Sequence, residues 1–175
     1  MNLASIVIII IFLILIVLGI LIIGVYNKLT FYKNRVFDKF KAINSCLNDR
    51  VDIINKIIDI INDNSLHEDS LIIDLNKLVT RINEENIVNN LLVLIDESDD
   101  ILKKALSLDK IYDILKSNNE YMGLVDKFKD NQYKIMYAIE IYNEEVEVYN
   151  NYKQNKVINI ISKIFKFVDY NYYKK

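Results

Sequence analysis

Apolar residues fill an unbroken stretch near the start of the chain, then recur singly at steps of three and four. From Leu3 to Val25 there are 23 residues without one charge, almost all Ile, Leu and Val. At a helical rise of ~1.5 Å per residue that stretch is roughly 34 Å long, enough to cross a hydrocarbon core of about 30 Å. It is longer than a signal-peptide core, no basic residue precedes it, and the sequence leaving it, Ile23-Gly24-Val25-Tyr26, offers no small-x-small cleavage site. A retained transmembrane anchor over residues 1–25 is expected.

Beyond the anchor, Leu29, Tyr32, Val36, Phe40, Ile43, Leu47, Val51, Ile54, Ile58 and Ile61 mark one face of a long amphipathic helix continuous with the span. It should stop near Asn62-Asp63-Asn64. Ser65 and Glu68 have capping-box spacing for a second helix through Leu71, Leu75, Leu78 and Ile82. A break follows, either at Asn83-Glu84-Glu85-Asn86 or at Asp96-Glu97-Ser98-Asp99-Asp100, the first being preferred. The third helix should end around Lys116, and Ser117-Asn118-Asn119 should turn into the fourth. There Tyr121, Val125, Phe128, Gln132, Ile135, Ile139, Tyr142, Val146 and Tyr149 alternate steps of four and three, a heptad seam with one polar member, Gln132. The expected fold is all-α: the transmembrane helix continues into an antiparallel four-helix bundle over 26–155, followed by an amphipathic tail over 156–175.

Charge sets the expected orientation. Lys28, Lys33, Arg35, Lys39 and Lys41 follow the span against Asp38 alone, and basic residues beside a span stay cytoplasmic. The N-terminus is therefore expected outside and the helical domain inside the cell membrane, in a single-pass arrangement. The lone Cys46 suits a reducing compartment. With 22 basic against 24 acidic residues, the domain lacks the basic excess of a nucleic-acid surface. There is no proline, and Gly123 is the one glycine beyond the span, which favours helices. The Ile, Asn, Lys and Tyr bias is that of an AT-rich bacterial genome.

Several motifs fall in a familiar order. Tyr26-Asn27-x-Leu29, Asn34-Arg35-Val36, Phe40, Ile43, Leu47, Arg50, Asp52 and His67-Glu68 resemble the opening of LemA family sequences. Leu115-Lys116-Ser117-Asn118-Asn119-Glu120-Tyr121 is similar to that family's LKANxNF. Tyr142-Asn143-x-x-Val146-x-x-Tyr149-Asn150 matches its YNxxVxxYN without a gap, and Phe165-Lys166-Phe167 sits where the family has FGF. The chain departs from the pattern at Asn55, Asp113 and Val157, where the family carries prolines, at Phe40 for a Trp, at Asn44 for an Asp, and in a shorter stretch at about 83–98. The resemblance implies a single-pass membrane protein with a cytoplasmic helical bundle and no established catalytic activity. Family members often lie beside membrane proteases and other envelope proteins.

Chemistry is sparse. His67-Glu68-Asp69 holds the sole histidine, too few ligands for zinc, and reads as a helix start. The acidic run Asp96 to Asp100 lacks the glycine and spacing of a calcium loop and reads as a solvated helix end. With one glycine outside the span, no Walker, dinucleotide or G-x-S-x-G pattern is possible. No metal, cofactor or catalytic residue is expected, and the protein is expected not to be an enzyme.

Two surfaces are candidates instead. Tyr142-Asn143 and Tyr149-Asn150 could form a recognition patch with Asn34 and Arg35, although core packing with the hydroxyls at the bundle edge is the preferred alternative. In the tail, Lys156, Asn159, Ser162, Lys163 and Lys166 fill a polar arc opposite Ile and Phe residues. Lys163, Phe165, Lys166, Tyr170, Tyr172 and Tyr173 are candidate contacts with the lipid bilayer, as in a helix lying in the interface. Folding of that apolar face back onto the bundle is slightly preferred. The expected role is a non-enzymatic scaffold or adaptor at the inner membrane face, bound to a membrane or cytoplasmic protein; the alternative is a regulatory subunit of a membrane protease.

Overall fold

One helix carries both the apolar stretch and the amphipathic run that follows it. In a computed structural model, which describes residues 3–84 and 91–173, α1 spans Leu3–Asp63 without interruption. It is followed by α2 (Asp69–Glu84), α3 (Leu91–Ala105), a 3-10 turn (Leu108–Lys110), α4 (Asp113–Lys116), α5 (Asn119–Lys153) and α6 (Lys156–Ile164). The described residues contain no strand. By length and composition the start of α1 is apolar enough to cross a membrane, and nearly all its side chains up to Gly24 are exposed.

The chain forms two compact units. One comprises Met1–Asp38 with Tyr142–Tyr172, the other Lys39–Ile141 with Tyr173–Lys175. Each draws on both α1 and α5.

In the second unit the core is built from Phe40, Ile43, Leu47, Ile54, Ile57 and Ile61 of α1, Leu71, Leu75, Leu78 and Ile82 of α2, and Leu91, Leu94, Ile95 and Leu102 of α3. Tyr121, Leu124, Phe128 and Ile135 of α5 complete it. The buried line on α1 differs from the expected one after Leu47. It runs through Arg50 and Ile57, while Val51 and Ile58 are only half-buried. The steps 43, 47, 50, 54, 57 and 61 keep the four-three alternation that a packed seam needs. On α5, Asn131 rather than Gln132 is the buried polar member, and Leu124 packs more deeply than Val125.

Helix ends explain the other differences. After α1, Ser65 adopts a left-handed φ of 50°. Its N–H donates to the Asn62 carbonyl, and Leu66 N–H donates to the Ile61 carbonyl. This paired pattern stops a helix by satisfying its last carbonyls. Ser65 therefore closes α1 rather than capping α2, and Glu68 accepts from the Tyr112 hydroxyl at 3.0 Å. α2 ends at Glu84, while Asp96 to Asp100 lie inside α3; of the preferred break, positions 85 and 86 lie outside the described residues. The expected third helix does not reach Lys116 as one piece. It ends at Ala105, and the 3-10 turn and α4 occupy the remainder. The turn into α5 falls where expected: Asn118 Oδ1 accepts from Tyr121 N–H at 2.9 Å, an N-cap bond.

In the first unit, Leu29 and Val36 of α1 are buried with Tyr142, Val146 and Tyr149 of α5 and Ile161 of α6. Asn155 caps α6, its side chain accepting from Val157 and Ile158 N–H. The tail is helical only to Ile164. Lys166 then takes a left-handed φ of 55°, with Lys166 N–H donating to Lys163 and Phe167 N–H to Ser162 carbonyls. This is the same terminating pattern as at Ser65, and residues 167–173 continue without regular structure.

Candidate interaction site

The Tyr-Asn repeats sit two turns apart on α5, which places their polar ends along one line. Both tyrosines are fully buried, and their hydroxyls donate to backbone carbonyls of the tail. Tyr149 donates to Val168 at 2.8 Å and Tyr142 to Asn171 at 3.3 Å. Asn150 Nδ2 donates to the Tyr170 carbonyl at 3.0 Å. Lys153 Nζ adds the Phe167 carbonyl at 3.0 Å and pairs with Asp169 Oδ1 at 2.5 Å. Four carbonyls of one irregular segment are thus held by side chains spaced down α5. The Tyr170 ring meets the Tyr149 ring edge-on at 5.3 Å.

Removal from water raises the Tyr142 hydroxyl to about 12, with a smaller contribution from Tyr170. Burial raises Tyr149 further, helped by Tyr170 and Asp169, and also raises Tyr170. A neutral phenol is the form that donates to a carbonyl, so these shifts follow from the same packing.

Asn143 is half-buried, and the two members of the expected patch on α1 face elsewhere. Asn34 is exposed on α1. Arg35 is half-exposed and bonds to Glu145 Oε1 at 2.6 Å, on the α5 turn between the two tyrosines. Thus Arg35 joins α5, while the Tyr142 and Tyr149 hydroxyls face the tail. Phe31 and Phe37, both about half exposed, share an arc of α1 with Asn34 when projected at about 100° per residue.

Tail residues named as membrane contacts divide in two. Tyr170 is half-buried and Tyr173 buried. Lys163, Phe165, Lys166 and Tyr172 are exposed. Phe165 and Phe167 each meet the Tyr26 ring edge-on, at 5.1 and 5.6 Å. Ser162, placed on the polar arc by sequence, is buried.

The second unit holds a polar cluster that the periodicity missed. Arg50 is 1% exposed. Its Nε donates to Asn131 Oδ1 at 2.7 Å, its Nη1 to the Ile95 carbonyl at 3.1 Å and to Ser98 Oγ, and its Nη2 pairs with Asp99 at 2.7 Å. Asn131 Nδ2 donates onward to the Cys46 carbonyl at 2.7 Å, and the guanidinium lies 5.5 Å from the Phe128 ring centre. Burial lowers the Arg50 pKa, and Asp99 opposes that. The acidic run is therefore not wholly solvated, because Asp99 is inside. The visible signal was Arg50 itself, falling on the apolar face of α1 at heptad spacing from Ile43 and Ile57. Cys46 is half-buried, and burial together with Asp49 raises its thiol pKa, which disfavours the reactive thiolate. His67 is exposed.

A family sequence profile described as LemA family matches residues 39–175. No curated protein matches the chain.

Proposed function

The chain belongs to the LemA family, and from that premise we propose that it is a membrane-anchored, non-enzymatic scaffold or adaptor whose helical domain binds a protein at the inner membrane face. The bundle is read as four helices, α1, α2, α3 and α5. An antiparallel course of α1 and α5 is supported in the first unit, where Tyr32 meets the Tyr152 ring at 5.2 Å and Arg35 reaches back to Glu145.

One observation carries the binding role. Just beyond the apolar run, α1 leaves Phe31, Asn34 and Phe37 exposed on a shared arc, and exposed aromatic surface mixed with polar groups marks interaction sites. The polar side chains of Tyr142, Tyr149 and Arg50 are meanwhile engaged with the protein's own backbone and side chains. The five basic residues from Lys28 to Lys41 support a cytoplasmic domain.

A photo-crosslinking residue at Asn34 in the full chain, expressed in cells, should trap a discrete protein partner, and one at the exposed Lys77 should not. Labelling of lipid alone from position 34 would overturn the binding role. A C-terminal reporter that is active only in the cytosol should be active; activity of a reporter specific to the outer side would reverse the orientation.

A further inference from the structure

α6 is packed on the wrong side for its own hydrophobicity. Projected at about 100° per residue, Ile160, Ile164 and Val157 fall within an arc of about 60°, with Lys156 and Lys163 along one edge and Ile161 along the other. The packed side is that of Ile158, Ile161 and Ser162, turned by roughly 80° from the middle of the apolar face. Ile161 and Ser162 are buried, whereas Val157, Ile160 and Ile164 are 63%, 61% and 67% exposed. Phe165, just past the end of α6, is 45% exposed.

Two further observations say what covers it. The Tyr26 ring touches Phe165 and Phe167, and Tyr26 directly follows Val25, the last residue of the apolar run. The end of α6 is therefore tied to the point where α1 leaves the hydrocarbon, at the depth where tyrosine rings settle. Lys156 and Lys163, along one edge of this face, and Lys166 beyond its end are all exposed, as in helices that lie in an acidic headgroup layer with their apolar side down.

We propose that α6 is a second membrane contact: Val157, Ile160 and Ile164 enter the interface of an acidic phospholipid bilayer while the lysines meet its headgroups. The segment after Lys166 takes no part in this, because α5 holds it. The inference rests on the reading of Leu3–Val25 as a membrane span.

The chain has no tryptophan, so single substitutions report position without background. The full chain would be placed at one copy per nanodisc, in acidic phospholipid carrying brominated acyl chains. Ile16→Trp, within the span, and Ile160→Trp should both lose most of their emission, while Glu147→Trp, exposed on α5, should keep it. Ile164→Trp provides a second reading should Ile160→Trp disturb the fold, and it should be quenched as well. Quenching at 16 with none at 160 or 164 would overturn the proposal and leave the span standing. No quenching at 16 would overturn the span and the proposal together. Replacing the acidic lipid by a neutral one should weaken quenching at 160 but not at 16; equal quenching in both would overturn the headgroup assignment. Burial of the 160 probe only with two copies per disc, without quenching, would assign the face to a second copy instead.

Discussion

The hydroxyl of Tyr149 donates to the carbonyl of Val168 at 2.8 Å, and the same ring meets Tyr170 edge-on at 5.3 Å. One side chain thus holds the tail twice, by its oxygen and by its ring. With Tyr142, Asn150 and Lys153 it turns a seam of α5 into a cradle for the irregular segment 167–171.

Tyr149→Phe keeps the ring contact and deletes the hydrogen bond, so it should cost about 1 kcal/mol. Adding Tyr142→Phe should loosen the tail further. Amide exchange is the direct measurement: protection should fall in 167–173 while the middle of α5 holds. Unchanged tail protection in the double variant would mean that the hydroxyls do not pin it.

Arg50 and Asp99 should behave as a unit. Asp99→Leu leaves a guanidinium buried without its counter-charge, at an expected cost of about 3–5 kcal/mol. Arg50→Met with Asp99→Leu removes both charges and should cost much less than the two single changes added together. Denaturation midpoints of the four proteins close the cycle, and simple additivity would argue against a coupled pair.

Spacing alone revealed the long α1, the α2 core at Leu71, Leu75, Leu78 and Ile82, and the buried Tyr142-Val146-Tyr149 seam, because burial at steps of three and four is what amphipathic helices do. Arg50 escaped because periodicity treats a charge as exposed. Its burial depends on Asn131 and Asp99, 81 and 49 positions away in sequence, which no local pattern encodes. The end of the tail helix was not legible for a related reason. Its composition continues helical to Val168, but the chain leaves the helix at Lys166, where left-handed geometry rather than hydrophobicity decides. The cradle on α5 was legible as residues, the two Tyr-Asn pairs, but not as the identity of what they hold. Two family prolines missing here, at Asp113 and Val157, would fall in the first turns of α4 and α6, where proline is tolerated; α1 runs unbroken through the third position, Asn55.

Lys166 occupies a left-handed φ of 55°, a conformation in which a side chain is strained and glycine is not. The resembling FGF motif has glycine there. Lys166→Gly should therefore stabilise the folded protein by roughly 0.5–1 kcal/mol, the relief of strain outweighing the extra freedom of the unfolded chain. Lys166→Val should do the opposite, since a β-branched residue is least at ease with positive φ. A midpoint for Lys166→Gly below that of the unchanged protein would show that Lys166 contributes a contact worth more than the strain.

High pH should release the tail before it unfolds the rest. Tyr142 is pushed up to about 12, and Tyr149 and Tyr170 are also raised, in each case first by burial. A phenol whose pKa is higher folded than unfolded keeps its proton longer in the folded state. Its contribution is whole below pH ~10 and is lost as pH climbs toward about 12, at a rate of at most ~1.4 kcal/mol per pH unit for each such group. Tail amides should therefore lose protection across that window, and phenolate absorbance should show a late-titrating fraction among the 12 tyrosines. Tyr142→Phe with Tyr149→Phe should shrink that fraction and flatten the pH dependence of tail protection between pH ~10 and ~12. A tail that opens over the same pH range in the double variant would place the titrating group elsewhere, with Tyr170, also raised by burial, as the next group to replace.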